Sequence, residues 1–74
     1  MGDELLEVED EARMSREAAA AKLRELADQL SKHNEVAFLR GGVRYSVKVP
    51  KEVTFSLEVE VTDDGGEVEV ELSW

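Results

Sequence analysis

The sequence predicts an α+β domain in which one helix packs on one face of a mainly antiparallel sheet, with the element order β-α-β-β-β-β. Three observations support this prediction. An alanine- and leucine-rich segment in the first half has the apolar periodicity of a helix. The Gly-Gly pairs 41/42 and 65/66 each separate two short strand-like segments. A chain of 74 residues has room for one small domain, which we assign to residues 1–74.

The first segment, Asp3 to Met14, predicts a strand. Apolar residues recur at its even positions, although Asp10 interrupts that side. Ser15 then offers an N-cap hydroxyl, and strong helix formers follow from Arg16 to about His33. One stripe of this helix is apolar and is expected to face a core: Ala19, Leu23, Leu26, Ala27 and Leu30.

The second half predicts two hairpins. The first joins Val36–Leu39 to Val43–Val49 through a turn at Arg40, Gly41 and Gly42, and Pro50 ends its second strand. In the second hairpin, odd positions are apolar from Phe55 to Val61 and even positions from Val68 to Trp74. Cross-strand partners share a face, so an odd apolar residue of the first strand must pair with an even apolar residue of the second. The two residue numbers of each pair therefore sum to an odd value.

A type I′ turn centred on Asp64-Gly65 meets that condition. It would pair Val61 with Val68, Val59 with Val70, Leu57 with Leu72 and Phe55 with Trp74. Trp74 would then stack beside Phe55 and anchor the last strand. The residues predicted to fill the core are Leu6, Val8, Leu23, Leu26, Leu30, Tyr45, Val47, Phe55, Leu57, Val59, Val70, Leu72 and Trp74.

Charge limits the function classes. The chain has 18 acidic and 9 basic residues, a formal net charge of -9, and such a surface repels phosphate backbones and anionic headgroups. We therefore expect no membrane partner and regard nucleic acid as an unfavoured one. The acidic N-terminus does not resemble a signal peptide, and the lack of cysteine suits a reducing interior, so a cytoplasmic location is expected.

The register with its turn at Asp64-Gly65 places like charges together on the polar face of the second hairpin. Glu60 would lie opposite Glu69, and Glu58 opposite Glu71, which destabilises a strand pair. Arg44 and Lys48 of the first hairpin, high salt, or a bound cation or basic partner could offset the repulsion. Glu58, Glu60, Glu69 and Glu71 are therefore the predicted face for a partner or a cation.

The sequence gives weaker support for a metal site, a nucleic-acid site or a catalytic site. The four glutamates are oxygen-rich and suit a divalent cation, but a flat sheet lacks the wrapping loop of a dedicated site, so no metal ligand is assigned. Arg40, Arg44 and Lys48 could form a basic strip for nucleic acid. Tyr45, however, lies at an odd position like the apolar residues of its strand, so its ring is expected in the core and not as a stacking platform for a base. His33 suits the helix C-terminus better than catalysis. We predict no enzyme activity, no catalytic residue and no cofactor.

One family resemblance covers nearly the whole chain. The acidic first segment, the helix opening SREAAAAKLRELADQL, the basic-aliphatic strand ending in a proline from Arg44 to Pro50, and the amphipathic last strand closing on Trp74 occur in this order. The chain resembles the amphi-Trp domain, a family common in salt-loving archaea. The resemblance implies a salt-adapted acidic surface, and it implies no activity, cofactor or functional residue.

Together these observations predict a small non-catalytic interaction or adaptor module with an acidic, salt-adapted surface. The alternatives are divalent-cation binding on the acidic face and nucleic-acid contact through the basic hairpin. The expected partner is a protein with a basic surface or a second copy joined at an edge strand.

Overall fold

The computed structural model describes residues 6–7 and 9–74, which contain one helix and four strands. The helix α1 spans Arg16–His33, and the strands are β1 (Glu35–Arg40), β2 (Val43–Lys48), β3 (Thr54–Thr62) and β4 (Gly65–Ser73). All strand pairs are antiparallel, so the predicted α+β class with a single helix is confirmed. Within the described residues, no helix has the length and apolar character that crossing a membrane requires.

The predicted first strand is not found in the part of its segment that the structure describes. Residues 6–7 and 9–14 adopt no regular secondary structure, while residues 3–5 and 8 lie outside the described residues. The described order is therefore α-β-β-β-β. Asp10 interrupts the apolar side of this segment, and a charged residue on that side removes the continuous apolar face that would hold a strand on a core.

The helix begins and ends at the predicted residues because both ends have local caps. The Ser15 hydroxyl accepts a hydrogen bond from the Ala18 amide at 3.0 Å, which satisfies a free N–H of the first turn. At the other end, Asn34 adopts the left-handed conformation, with φ 57° and ψ 30°, that commonly ends a helix. The chain therefore leaves α1 in a fixed direction and enters β1 directly.

The first hairpin lies where it was predicted, but β1 also includes Glu35 and Arg40, and β2 ends at Lys48 rather than Val49. Arg40 pairs with Val43, so Gly41 and Gly42 form a two-residue turn. Their φ angles of +59° and +79° are those of a type I′ turn, which needs positive φ at both central positions. At the open end of the hairpin, the Val49 amide donates to the Asn34 carbonyl at 3.0 Å, immediately before Pro50.

Replacing Gly41 by alanine is expected to lower the free energy of unfolding by about 1 kcal/mol, because an L side chain is strained at positive φ. Urea unfolding followed by circular dichroism would measure it. Gly66→Ala is the control, since the new Cβ would meet only Glu60 O at 3.4 Å and Val61 Cγ2 at 3.7 Å without a left-handed backbone. Equal losses in the two variants would contradict the turn assignment.

The second hairpin keeps the predicted faces but not the predicted register. Thr62 pairs with Gly65, so the turn lies at Asp63-Asp64 rather than Asp64-Gly65, and each pairing is displaced by two residues. The Thr62 hydroxyl accepts from the Asp64 amide and donates to the Gly65 carbonyl, each at 3.3 Å. These bonds stabilise a turn in which neither aspartate needs positive φ. The observed apolar pairs are Phe55–Leu72, Leu57–Val70 and Val59–Val68.

The two hairpins form separate two-stranded sheets, not one sheet with a helix on its face. The helix packs against β1, and the Gln29 side-chain oxygen accepts a hydrogen bond from the Ala37 amide at 3.1 Å. In this antiparallel register, Ala37 is not in a hydrogen-bonded pair with Ser46, so its amide points away from β2. Gln29 therefore covers the outer edge of β1.

The predicted core is not closed in the single chain. No described residue is fully buried. Val8 lies outside the described residues, whereas Leu30, Val47 and Leu72 are half-buried and the rest of the predicted core is exposed. Strand parity correctly assigned the apolar faces, but it carries no information on how tightly one element packs on another. Most of the half-buried apolar side chains belong instead to α1 and the first hairpin, among them Leu30, Val36 and Phe38.

Candidate functional site: the two faces of the second hairpin

The β3–β4 hairpin separates its side chains completely by chemistry. Odd residues of β3 and even residues of β4 are apolar and share one face, while the opposite face carries five glutamates. We call these five the acidic ladder: Glu58, Glu60, Glu67, Glu69 and Glu71. The separation follows from the period of two along each strand. One hairpin therefore presents an apolar surface and an anionic surface on its two sides.

The acidic ladder is paired differently from the sequence prediction. Glu58 lies directly opposite Glu69, and Glu60 directly opposite Glu67, rather than opposite Glu71 and Glu69. Ser56 is the partner of Glu71. Sequence reasoning missed Glu67 because the assumed turn placed it next to the loop, although its alternation with Glu69 and Glu71 signals the same face. Two like-charged pairs in direct opposition remain, and each destabilises the hairpin.

The first hairpin does not neutralise the acidic ladder. Lys48 Nζ lies 3.6 Å from Glu35 Oε2 within its own hairpin, and the other ion pair of the described residues joins Arg16 to Glu17. The predicted contact of Arg44 and Lys48 with the ladder requires β2 to lie beside β3 or β4, and the two sheets are not hydrogen-bonded to each other. The ladder therefore has no basic partner among the described residues.

The structure does not bring the predicted basic strip together. Arg44 and Lys48 share one face of the first hairpin with Leu39 and Glu35, whereas Arg40 lies opposite Val43 on the other face. The pairing of Lys48 with Glu35 also offsets one of the three charges. Tyr45 stacks on Phe38 with ring centroids 5.5 Å apart and an interplanar angle of 16°. That stack occupies one face of the Tyr45 ring, which limits it as a platform for a base.

Three ladder carboxylates approach one another closely. Oxygens of Glu58, Glu67 and Glu69 all lie within 4.8 Å of one another, and all three residues are exposed. Divalent cations such as Ca²⁺ take six to eight oxygen ligands, usually including backbone carbonyls from a loop that wraps the ion. The trio lies instead on the open face of a paired ladder. The arrangement is a concentrated negative potential rather than a shaped coordination site.

Trp74 lines an apolar groove and is not paired with Phe55. Phe55 pairs with Leu72, and Trp74 follows the end of β4 with 65% of its surface exposed. The groove has a volume of about 640 Å³ and runs between α1, the first hairpin and the end of β4. It is lined by apolar residues from each element, including Leu26, Leu30, Val36, Phe38, Val70, Leu72 and Trp74. The predicted Phe55–Trp74 pair is thus wrong by the same two-residue displacement.

Repulsion within the ladder leads to a testable pH dependence. The charge of Glu67, followed by that of Glu58, raises the pKa of Glu69 above its ordinary value. A raised folded-state pKa means that folding disfavours the ionised form. The resulting destabilisation is present above that pKa and disappears as the pH falls through it.

Glu69→Gln is therefore expected to melt at a higher temperature than the native chain at neutral pH and low salt. The difference should shrink on acidification and on adding salt, which screens exposed charges. Thermal unfolding across pH, with the exposed loop variant Glu52→Gln as control, would measure it. A difference that persists at acidic pH would show that repulsion is not its cause.

Comparison with known proteins identifies the family of the chain. No curated protein and no solved structure matches the chain. The Amphi-Trp domain matches residues 1–74, which include the helix, both hairpins and Trp74 at the end of the two-faced strand. Because this match covers the whole sequence, the chain belongs to the Amphi-Trp domain family.

Proposed function

We propose that this chain is a non-catalytic interaction module of a salt-rich cytoplasm, and that its acidic ladder docks a basic segment of a partner protein. One observation carries the proposal. Five carboxylates share one strand face, two pairs of them directly opposed, and no ion pair of the described residues reaches them. A basic partner would replace repulsion by attraction, because each added cation lies beside at least one carboxylate.

The spacing of the ladder indicates which kind of basic segment would fit it. Glu67, Glu69 and Glu71 occupy alternate positions of β4, so their Cα atoms recur about every 6.8 Å. An extended segment with lysine or arginine at alternate positions repeats the same distance. At 1 M salt the Debye length is roughly 3 Å, so only ion pairs in direct contact contribute there. Matched spacing is therefore what makes docking specific in a salty cytoplasm.

Support for the cytoplasmic, salt-adapted setting is compositional. The net charge of -9 keeps a small protein hydrated and soluble, and high salt screens its self-repulsion. The chain has no cysteine to oxidise or to pair. These features favour an interaction role in the cell interior, where a basic partner competes with abundant potassium ions.

The test is calorimetric titration of an extended peptide with lysine at alternate positions. A second peptide of the same composition, with its lysines contiguous, controls for bulk charge. The native chain should prefer the alternating peptide, and changing all five ladder residues to glutamine should abolish that preference. The matched control variant changes five exposed glutamates elsewhere: Glu7, Glu9, Glu11, Glu25 and Glu52.

Both variants lose the same formal charge. A difference in binding between them therefore reports the position of the glutamates and not the net charge. If the control variant loses binding as fully as the ladder variant, or if the two peptides bind the native chain equally, the proposed docking face is wrong.

A further inference from the structure

The far end of the second hairpin carries an uncovered apolar surface. Four side chains near its turn are 58–80% exposed, and we call them the distal apolar face: Leu57, Val59, Val61 and Val68. The near end of the same face is different, since Phe55, Val70 and Leu72 line a groove with Leu23, Leu26 and Leu30 of the helix. The helix borders a groove at the near end, where Phe55 is still 63% exposed, and among the described elements β3 and β4 lie close only to each other. The distal apolar face is therefore left open.

The accessible surface of the chain shows how much remains to be covered. It is 7190 Å², whereas a compact monomer of 8.3 kDa exposes about 4,600 Å². The radius of gyration is 14.4 Å, against about 11 Å for a compact chain of this length. The excess of about 2,600 Å² is several times the roughly 800 Å² that each partner contributes to a stable interface. This surplus is spread over the whole chain, and the distal apolar face is a part of it that a second copy can cover.

We propose that the distal apolar face packs against the same face of a second copy, forming a two-fold symmetric homodimer. The face suits its own copy, because it is a strand pair of aliphatic side chains without any charge. Two such sheets pack about 10 Å apart with their aliphatic side chains interleaved. A two-fold axis brings the same patch together from both chains and closes the assembly at two copies.

Charge also favours a second copy on this face. The acidic ladder lies on the opposite side of the same hairpin, so the two ladders of the dimer point outward, away from each other. The pair of sheets separates them by more than a Debye length of about 8 Å at physiological salt, and high salt weakens the remaining repulsion further. Association through the distal apolar face therefore avoids the cost that a net charge of -9 imposes on other contacts between copies. It also leaves both ladders free, so it is independent of the proposed docking function.

Sedimentation equilibrium of the full chain in concentrated potassium chloride tests the proposal. The native chain should show a mass of about twice 8.3 kDa. Val59→Thr combined with Val61→Thr retains β-branched side chains but places hydroxyls in the apolar contact. Because the dimer is two-fold symmetric, each substitution is present twice in the interface. The dissociation constant of the dimer should rise by at least about tenfold. Glu58→Gln combined with Glu60→Gln alters the other face of the same strand and should keep the dimer.

Circular dichroism of each variant verifies that the hairpin is folded. If the double valine variant unfolds, Val61→Thr alone replaces it, because Val61 is 80% exposed and lies beside the turn. A native chain that stays monomeric at all concentrations overturns the proposal. So does a dimer that the valine changes leave as strong as before, since that result would place the contact at a strand edge or on the helix side.

Discussion

Leu30→Ala is expected to lower the free energy of unfolding by about 2 kcal/mol. Leu30 is half-buried, and it lines each of the spaces that separate the helix from the first hairpin, from the 49–53 connection and from the end of β4. Truncation exposes the half-buried part of this apolar surface and enlarges all three spaces at once. The value is at the low end for leucine because water already reaches part of the side chain. Urea unfolding at one fixed protein concentration would measure it, since self-association makes stability depend on concentration.

Leu23→Ala is the matched control for Leu30. The same chemical change is made on the same helix, but Leu23 is 58% exposed and should lose less than about 1 kcal/mol. If both leucines cost the same, burial of Leu30 beside the first hairpin does not contribute to stability.

Phe38→Ala is expected to lower the free energy of unfolding by about 2–3 kcal/mol. Phe38 is half-buried between the helix and the first hairpin, and it stacks on Tyr45 across the strand pair at 5.5 Å. Its loss removes both the apolar contact in the groove and the aromatic contact. A double-mutant cycle with Tyr45→Ala should give a coupling energy of about 0.5–1.5 kcal/mol for the stacked rings.

Tyr45→Phe is the control for the ring contact. It keeps the stacked ring and removes only a hydroxyl, so stability should change by less than about 0.5 kcal/mol. A coupling energy near zero in the cycle would show that the two rings are neighbours without stabilising each other.

The helix could be predicted to the residue, and the first hairpin to within one residue at each strand end, because their boundaries have local causes. Ser15 and Asn34 end the helix through their own side-chain and backbone preferences. Both central positions of the first turn, Gly41 and Gly42, are glycines, as expected for a turn that needs positive φ at each of them. No information from the rest of the fold is needed at these positions.

The second hairpin shows where such reasoning ends. Turns at Asp64-Gly65 and at Asp63-Asp64 differ by two residues in pairing, so both keep every side chain on the same face. Alternation therefore predicted the two faces correctly and could not choose the register. The hydroxyl of Thr62, which bonds the turn from both sides, is the feature that favours the observed one. This choice decides which glutamates oppose each other and thus the geometry of the acidic ladder.

The closed core was predicted wrongly for a different reason. Apolar parity says which face of a strand avoids water, but not whether another element of the same chain covers it. In the described structure the helix covers the edge of β1, and the distal apolar face is left open. A second copy is the covering that we propose for it.

Among the helix and strands that the structure describes, every pairing joins neighbours along the chain: α1 with β1, β1 with β2, and β3 with β4. Such a topology has a low contact order, so little loop-closure entropy must be lost before native contacts form. We therefore expect folding on the microsecond to millisecond timescale, with each hairpin able to nucleate without the other. Rapid formation shortens the time during which the aliphatic β3 and β4 segments are exposed as unpaired strands, the state most prone to aggregation.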